Sequence, residues 1–260
     1  MTDATDPQPT PPEEPPMEIH KPKPVHNWRE LLTEIGVVVL GVLIALSAEQ
    51  VVESWHEARS AREAREAVRE ELVRNLSDEQ YLSAYQQCTD RRLNEIGEYL
   101  AVAGRGEKTV PPSWIGRPPL GSAYSGQWQA ATQSGRASLL PRAEAAGYAN
   151  MYYMLQRLLE TQNEEQQHWA ELRALQRLPA LSPEMVKQFQ VALSAARYSH
   201  WYMKLNFLRL RELGLAQDLK PIPGYRRPGA LPKTASVCVP IETPAAQALA
   251  IIDAAYGDPN

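Results

Sequence analysis

The chain of 260 residues carries 27 basic and 31 acidic side chains, a formal net charge of −4. That balance excludes a general nucleic-acid binder, which shows a basic surplus. Hydrophobic and charged fractions of 43% and 22% exclude a wholly disordered chain, and a mean hydropathy of −0.42 excludes a polytopic membrane protein while leaving room for one span.

The first 27 residues predict a disordered, proline-rich tail. Eight prolines lie before Val25, among acidic residues and with few large apolar side chains. Such a segment cannot bury enough surface to offset its ordering entropy. Met17 offers an alternative start.

Residues 28–52 predict a membrane anchor. Ile35 to Ala48 is uncharged, and Glu34 and Glu49 bound it. Such a run rises about 21 Å as a helix, short of the roughly 30 Å hydrocarbon core. The flanks lengthen it. Trp28, Leu31 and Leu32 precede it, and Val51, Val52 and Trp55 follow it. The two tryptophans then stand about 40 Å apart along the helix axis, a spacing that suits interfacial anchors. Ala45-Leu46-Ser47 would be tolerable as a signal-peptidase site or the run could be a core helix, but the acidic N-terminal region and the missing helix break favour an uncleaved anchor. Lys21, Lys23 and Arg29 precede the span, which predicts a cytoplasmic N-terminus at the inner membrane and the bulk of the chain outside. Gly41, Ala45 and Ala48 form a small-residue stripe on which the helix could pair with a copy or a protein partner.

The stretch Trp28–Trp55 resembles the N-terminal signature of a family of uncharacterised bacterial proteins, a domain of unknown function. Glu34-Ile35, the run Val37 to Leu46 with its Leu-Ile-Ala-Leu end, and Trp55 carry the resemblance. It implies a membrane-anchored protein with a helical extramembrane part. It transfers no activity.

Residues 53–219 predict an all-α antiparallel bundle entered by a stalk. Val51, Trp55, Ala58, Ala61, Ala64, Val68, Leu72 and Leu76 recur at helical steps, and no proline interrupts Glu49–Ala103, so one helix is expected across that stretch. Residues 104–126 hold five glycines and four prolines and predict a long loop. Trp114, Arg117 and Tyr124 are its candidate recognition residues, with a pinning role the stronger expectation for Trp114. A short helix at Gln127–Gln133 leads into two long ones. In the first, Tyr148, Met151, Leu155, Leu158, Gln162, Glu165, Trp169 and Leu172 share a stripe. Ser182-Pro183 is a cap followed by proline at the first helical position. Val186, Phe189, Leu193, Ala196, His200, Met203, Phe207 and Leu210 then repeat the stripe, with Gly214 as the expected stop. Residues 220–260 are rich in proline and glycine, with a short helix expected between Pro244 and Ala255.

Cys88 and Cys238 predict one disulfide in an oxidising compartment, with two free thiols the alternative. Gln162, Glu165 and His200 break the apolar stripes and form a candidate ligand site; a register-fixing polar patch is the stronger expectation. Glu53/His56 and Glu165/His168 have di-iron spacing, a chance match at this charge density. No metal, cofactor or catalytic residue is assigned, and no phosphate loop, dinucleotide fingerprint or nucleophile elbow is present. The expected function is a non-enzymatic assembly or interaction module. The alternatives are a ligand-sensing bundle acting through a separate membrane partner and, third, a di-metal enzyme.

Overall fold

The computed structural model describes residues 28–225 and 236–256. The expected tail at 1–27 lies outside them, as does part of the C-terminal segment. Among the described residues there are helices and no strand. The α-helices are α1 (Trp28–Ser83), α2 (Gln86–Gly104), α3 (Gly126–Gln133), α4 (Arg142–Leu172), α5 (Pro183–Ala216) and α6 (Ala245–Tyr256). The chain is all-α, one long N-terminal apolar helix followed by a helical bundle. It divides into two units, Met1–Trp55 and His56–Asn260, close to the boundary expected at residue 52.

In the first unit α1 runs without a covering neighbour. Every described side chain from Trp28 to Trp55 is exposed. The most apolar window has a mean hydropathy of 2.4 with none of it buried, and this is the one helix of the described residues long and apolar enough to cross a membrane. Thr33, Ser47 and Ser54 turn their hydroxyls back onto the carbonyls of Arg29, Leu43 and Gln50 at 2.9, 2.7 and 2.8 Å. These three hydroxyls are thereby satisfied within the helix.

In the second unit α4 and α5 make the expected hairpin, joined through a 3-10 turn at Arg173–Arg177. The Ser182 hydroxyl accepts from the Met185 N–H at 3.3 Å, and Pro183 opens α5. Two expectations need correction. The single helix expected to Ala103 is broken by a turn at Ala84 and Tyr85, with neither proline nor glycine present. The Ala84 and Tyr85 N–H groups turn to the Tyr81 and Leu82 carbonyls at 3.3 and 3.1 Å, so tighter backbone bonds carry the turn, with the Ser83 hydroxyl on the Gln80 carbonyl at 2.6 Å and the Tyr81 and Tyr85 hydroxyls paired at 2.9 Å beside it. Gly214 does not stop α5. It lies within the helix, where an added Cβ would come 2.8 Å from Leu76, so the glycine admits α1 closely. The stop comes at Asp218, the left-handed residue (φ 51°), with the Leu219 N–H returning to the Gly214 carbonyl at 2.8 Å.

Side chains of α1 finish two other helices. The Glu71 carboxylate accepts from the Gln127 and Trp128 N–H groups at 2.9 and 3.3 Å, capping α3 where Ser125 does not. It also accepts from the Tyr152 hydroxyl at 2.6 Å. Burial, with Glu71 beside it, raises the Tyr152 pKa well above the ordinary tyrosine range. Arg69 donates to the Gln217 and Asp218 carbonyls, each at 3.1 Å, at the C-terminal end of α5.

The core falls into two apolar clusters. One gathers α2, the α4 C-terminus and the α5 N-terminus around Leu93, Ile96, Trp169 and Phe189. The other gathers α1, the α4 N-terminus and the α5 C-terminus around Val68, Leu72, Tyr148, Leu155 and Leu210. Between them along the helices lie buried polar residues: Asn75, Ser77, Asp78 and Glu79 on α1, Thr161, Gln162 and Glu165 on α4, and Ser199 and His200 on α5.

Candidate functional site

The three seam residues line one small cavity, and two of them approach each other directly. The His200 imidazole lies between two carboxylates, with Nδ1 3.3 Å from Glu165 Oε1 and Nε2 3.1 Å from Asp90 Oδ1. Neither approach has hydrogen-bond geometry, since His200 Nε2 and Glu165 Oε1 are both buried without such a bond. The contact is therefore one of proximity. Lys204 completes the row by donating to Asp90 Oδ2 at 2.9 Å. Gln162 does something else. Its Oε1 accepts the Gly121 N–H at 2.6 Å, so it holds the long loop onto the bundle. The cavity beside these residues measures about 50 Å³ and is lined also by Glu79, Pro118 and Pro119. Ligand pockets for organic molecules run to roughly 300–1,000 Å³, so this space admits water or a small ion. Among the described residues no group of three or more His, Cys, Asp or Glu side chains is arranged to hold a metal.

This polar layer makes a stability prediction. Replacing Glu165 or His200 alone by leucine leaves the other buried without its close polar neighbour and costs about 1–3 kcal/mol. The double replacement should cost less than the two singles together. Urea unfolding of the four proteins measures the coupling, and additive costs would show that the two side chains act independently.

The loop residues divide likewise. The Tyr124 N–H donates to Asn75 Oδ1 at 2.8 Å and its carbonyl accepts from Asn75 Nδ2 at 2.7 Å, while the Arg74 guanidinium covers its ring at 4.0 Å. Tyr124 pins the loop to α1. Trp114 also pins, through its indole N–H to the Ser236 carbonyl at 2.7 Å and its backbone N–H to the Ile241 carbonyl at 2.9 Å. The anchorage joins the loop to the C-terminal segment. Gly116 makes this approach possible, since its φ is 69° and a Cβ would stand 2.3 Å from the Ser236 carbonyl oxygen. The Arg117 backbone shares the contact, its N–H donating to Ser236 Oγ at 2.8 Å, while its side chain is exposed.

Cys88 and Cys238 form a disulfide across a sequence separation of 150 residues. One turn further along α2, Arg92 is fully buried. It donates to the carbonyls of Trp114 and Ile115 at 2.6 and 2.5 Å and to that of Val239, and it pairs with Glu95 at 2.7 Å. Burial lowers its pKa, and the Glu95 carboxylate opposes that shift. Sequence reasoning missed Arg92 because an arginine in the run Asp90-Arg91-Arg92 reads as a solvated helix face.

Comparisons with family models, with curated proteins and with solved structures return no match. The resemblance of Trp28–Trp55 to the uncharacterised family therefore rests on those residues alone.

Two further surfaces were not anticipated. Gly41, Ala45 and Ala48 lie exposed on α1, as the stripe requires, but a second stripe appears on the outer side of α5. Val191, Tyr198, Trp201, Leu208 and Leu215 are each more than half exposed. Tyr198 stacks on Tyr202 at 6.2 Å and meets Trp201 at 5.9 Å. The other surface is an open groove of about 1140 Å³ between the loop, the end of α1 with the turn after it, the turn after α4, and α6. The signal for the α5 face was a second set of apolar residues offset from the first. The groove had none, because it is assembled from four separate segments.

Proposed function

We propose that this chain is a single-span membrane protein whose bundle is a docking module for the amphipathic helix of a partner protein. The observation that carries this reading is the outer face of α5. Its exposed apolar residues follow each other at steps of seven, three, seven and seven, a and d places of one heptad frame whose remaining places hold Ser194, Leu205 and Glu212, a pattern that suits a helical partner. The inner face of α5 is already packed by α4 and α2, so this second stripe is surplus to the bundle.

The flanks choose the partner's chemistry. Arg211 borders the stripe on one side and Arg209 on the other, beside Arg197 and Lys204, which already donate to the Leu93 carbonyl and to Asp90. A second copy would set basic flank against basic flank, which disfavours self-pairing through this face. An amphipathic helix with Asp and Glu beside its apolar stripe complements it.

Anchoring follows from the exposed apolar helix, and the basic residues before it support a cytoplasmic N-terminus. The Cys88–Cys238 disulfide supports an oxidising compartment for the bundle. The small-residue stripe on α1 supports a further contact within the bilayer.

Photo-crosslinking tests the docking face. A benzophenone amino acid placed at Trp201 of the full-length protein in native membranes should capture a segment that is amphipathic and acid-flanked when mapped by mass spectrometry. Arg209→Glu and Arg211→Glu together should abolish the adduct while leaving the melting temperature unchanged. Adducts only with another copy of the chain, or none, would contradict the proposal.

A further inference from the structure

We infer that the groove between the long loop and α6 is a binding site for an anionic amphiphile, a phosphate or carboxylate carried on an apolar body. The charge argument comes first. Arg117 of the loop and Arg173 and Arg177 of the turn after α4 line the groove, and among the described residues lining it there is no Asp or Glu. None of these three side chains has an ion pair or side-chain hydrogen bond among the described residues, whereas Arg92, which holds the neighbouring loop, is fully engaged. Three guanidiniums around one concavity repel each other and attract an anion, and the planar fork of arginine suits phosphate and carboxylate oxygens.

The walls between them are apolar. Tyr85 and Leu178 face the groove from the bundle, and Leu249 and Ile252 face it from α6. Leu249 is 51% exposed, a large apolar side chain left in contact with solvent inside a concave surface. An inorganic anion would use the arginines and waste these walls, and a neutral apolar ligand would do the reverse. A molecule with both parts satisfies the site. The volume of about 1140 Å³ accommodates a ligand of lipid or drug size.

The walls are also set before any ligand arrives. Trp114 and Gly116 tie the loop to Ser236, and the disulfide and Arg92 tie the C-terminal segment to α2. Binding then orders little that is not already ordered, so little affinity is lost to entropy.

The test uses the full-length protein in phosphatidylcholine nanodiscs. The aromatic anion 2-naphthyl phosphate, followed by its fluorescence, should bind saturably at one site. Neutral 2-naphthol and inorganic phosphate should each bind at least about tenfold more weakly, since each meets half of the site. Arg117→Gln, Arg173→Gln and Arg177→Gln together should weaken naphthyl phosphate by a similar factor without moving the melting temperature, because all three side chains are exposed. Leu249→Asp, which sets a carboxylate in the groove, should do the same from the opposite wall. A second arm separates the sources of such an anion. Competition by nanodiscs containing phosphatidic acid assigns the site to a lipid headgroup with its chains, and undiminished binding in their presence assigns it to a free anion. Binding of naphthyl phosphate no tighter than naphthol, or unchanged in both variants, would overturn the inference.

Discussion

Arg92→Met should lower the stability of the folded protein by about 3–5 kcal/mol, the loss expected when one partner of a buried charged network is removed. Methionine matches much of the arginine volume, so the loss is one of hydrogen bonds and not of packing. Three carbonyls, those of Trp114, Ile115 and Val239, lose their donor together, and Glu95 keeps only the longer pairing with Arg91 at 3.6 Å. They cannot turn to water without opening the contact between loop and C-terminal segment. At roughly 2–4 °C per kcal/mol for a unit of this size, the melting temperature should fall by about 10 °C. A fall of a degree or two would show that the carbonyls find other donors.

Removal of the disulfide by Cys88→Ser with Cys238→Ser should cost a comparable amount, about 2–5 kcal/mol, because the bridge closes a loop of 150 residues. In the native protein neither cysteine should react with an alkylating reagent unless a reductant is added, and reduction alone should reproduce the lowered melting temperature. The two losses will not add. Arg92 and Cys88 stand one turn apart on α2 and hold the same segment around Cys238 and Val239, so once either tether is cut the other restrains a segment already loosened. A combined variant should therefore be less destabilised than the sum. Free alkylation of both cysteines in the folded protein would exclude the bridge.

The hairpin of α4 and α5 was legible because its stripes step by threes and fours and a Ser-Pro cap marks the second start. The disulfide was legible as the one pairing two cysteines allow. The turn at Ala84–Tyr85 was not, since it holds neither proline nor glycine and is carried by tighter backbone bonds that no residue type marks. The polar layer was half legible. Gln162, Glu165 and His200 interrupt apolar stripes, which periodicity detects. On α1, Asn75, Ser77, Asp78 and Glu79 are buried on every side, so they form no stripe at all. The loop covers one side through Tyr124, and the chain beyond α5 covers another, with the Ile222 N–H on Ser77 Oγ at 2.9 Å and the Tyr225 hydroxyl on Asp78 Oδ1 at 2.8 Å. Burial by segments distant in sequence leaves no mark in the local pattern.

The exposed stripe on α5 shows the opposite case, a pattern present in the sequence but masked by a stronger one. The inner stripe satisfies the expectation for a bundle helix, so the outer heptad passes for scattered surface residues until exposure is known. Its aromatic cluster and basic border then set it apart from the isolated apolar residues of an ordinary surface.

The central claim, a bundle held to a bilayer by α1 and lying on its oxidising side, meets its most direct test in topology. Alkaline phosphatase fused after Asn260 should be active in intact cells, and the fusion should stay with the membranes through a sodium carbonate wash. Release of a mature chain beginning near Ala48, or a reporter active only when exported by an added signal, would contradict it.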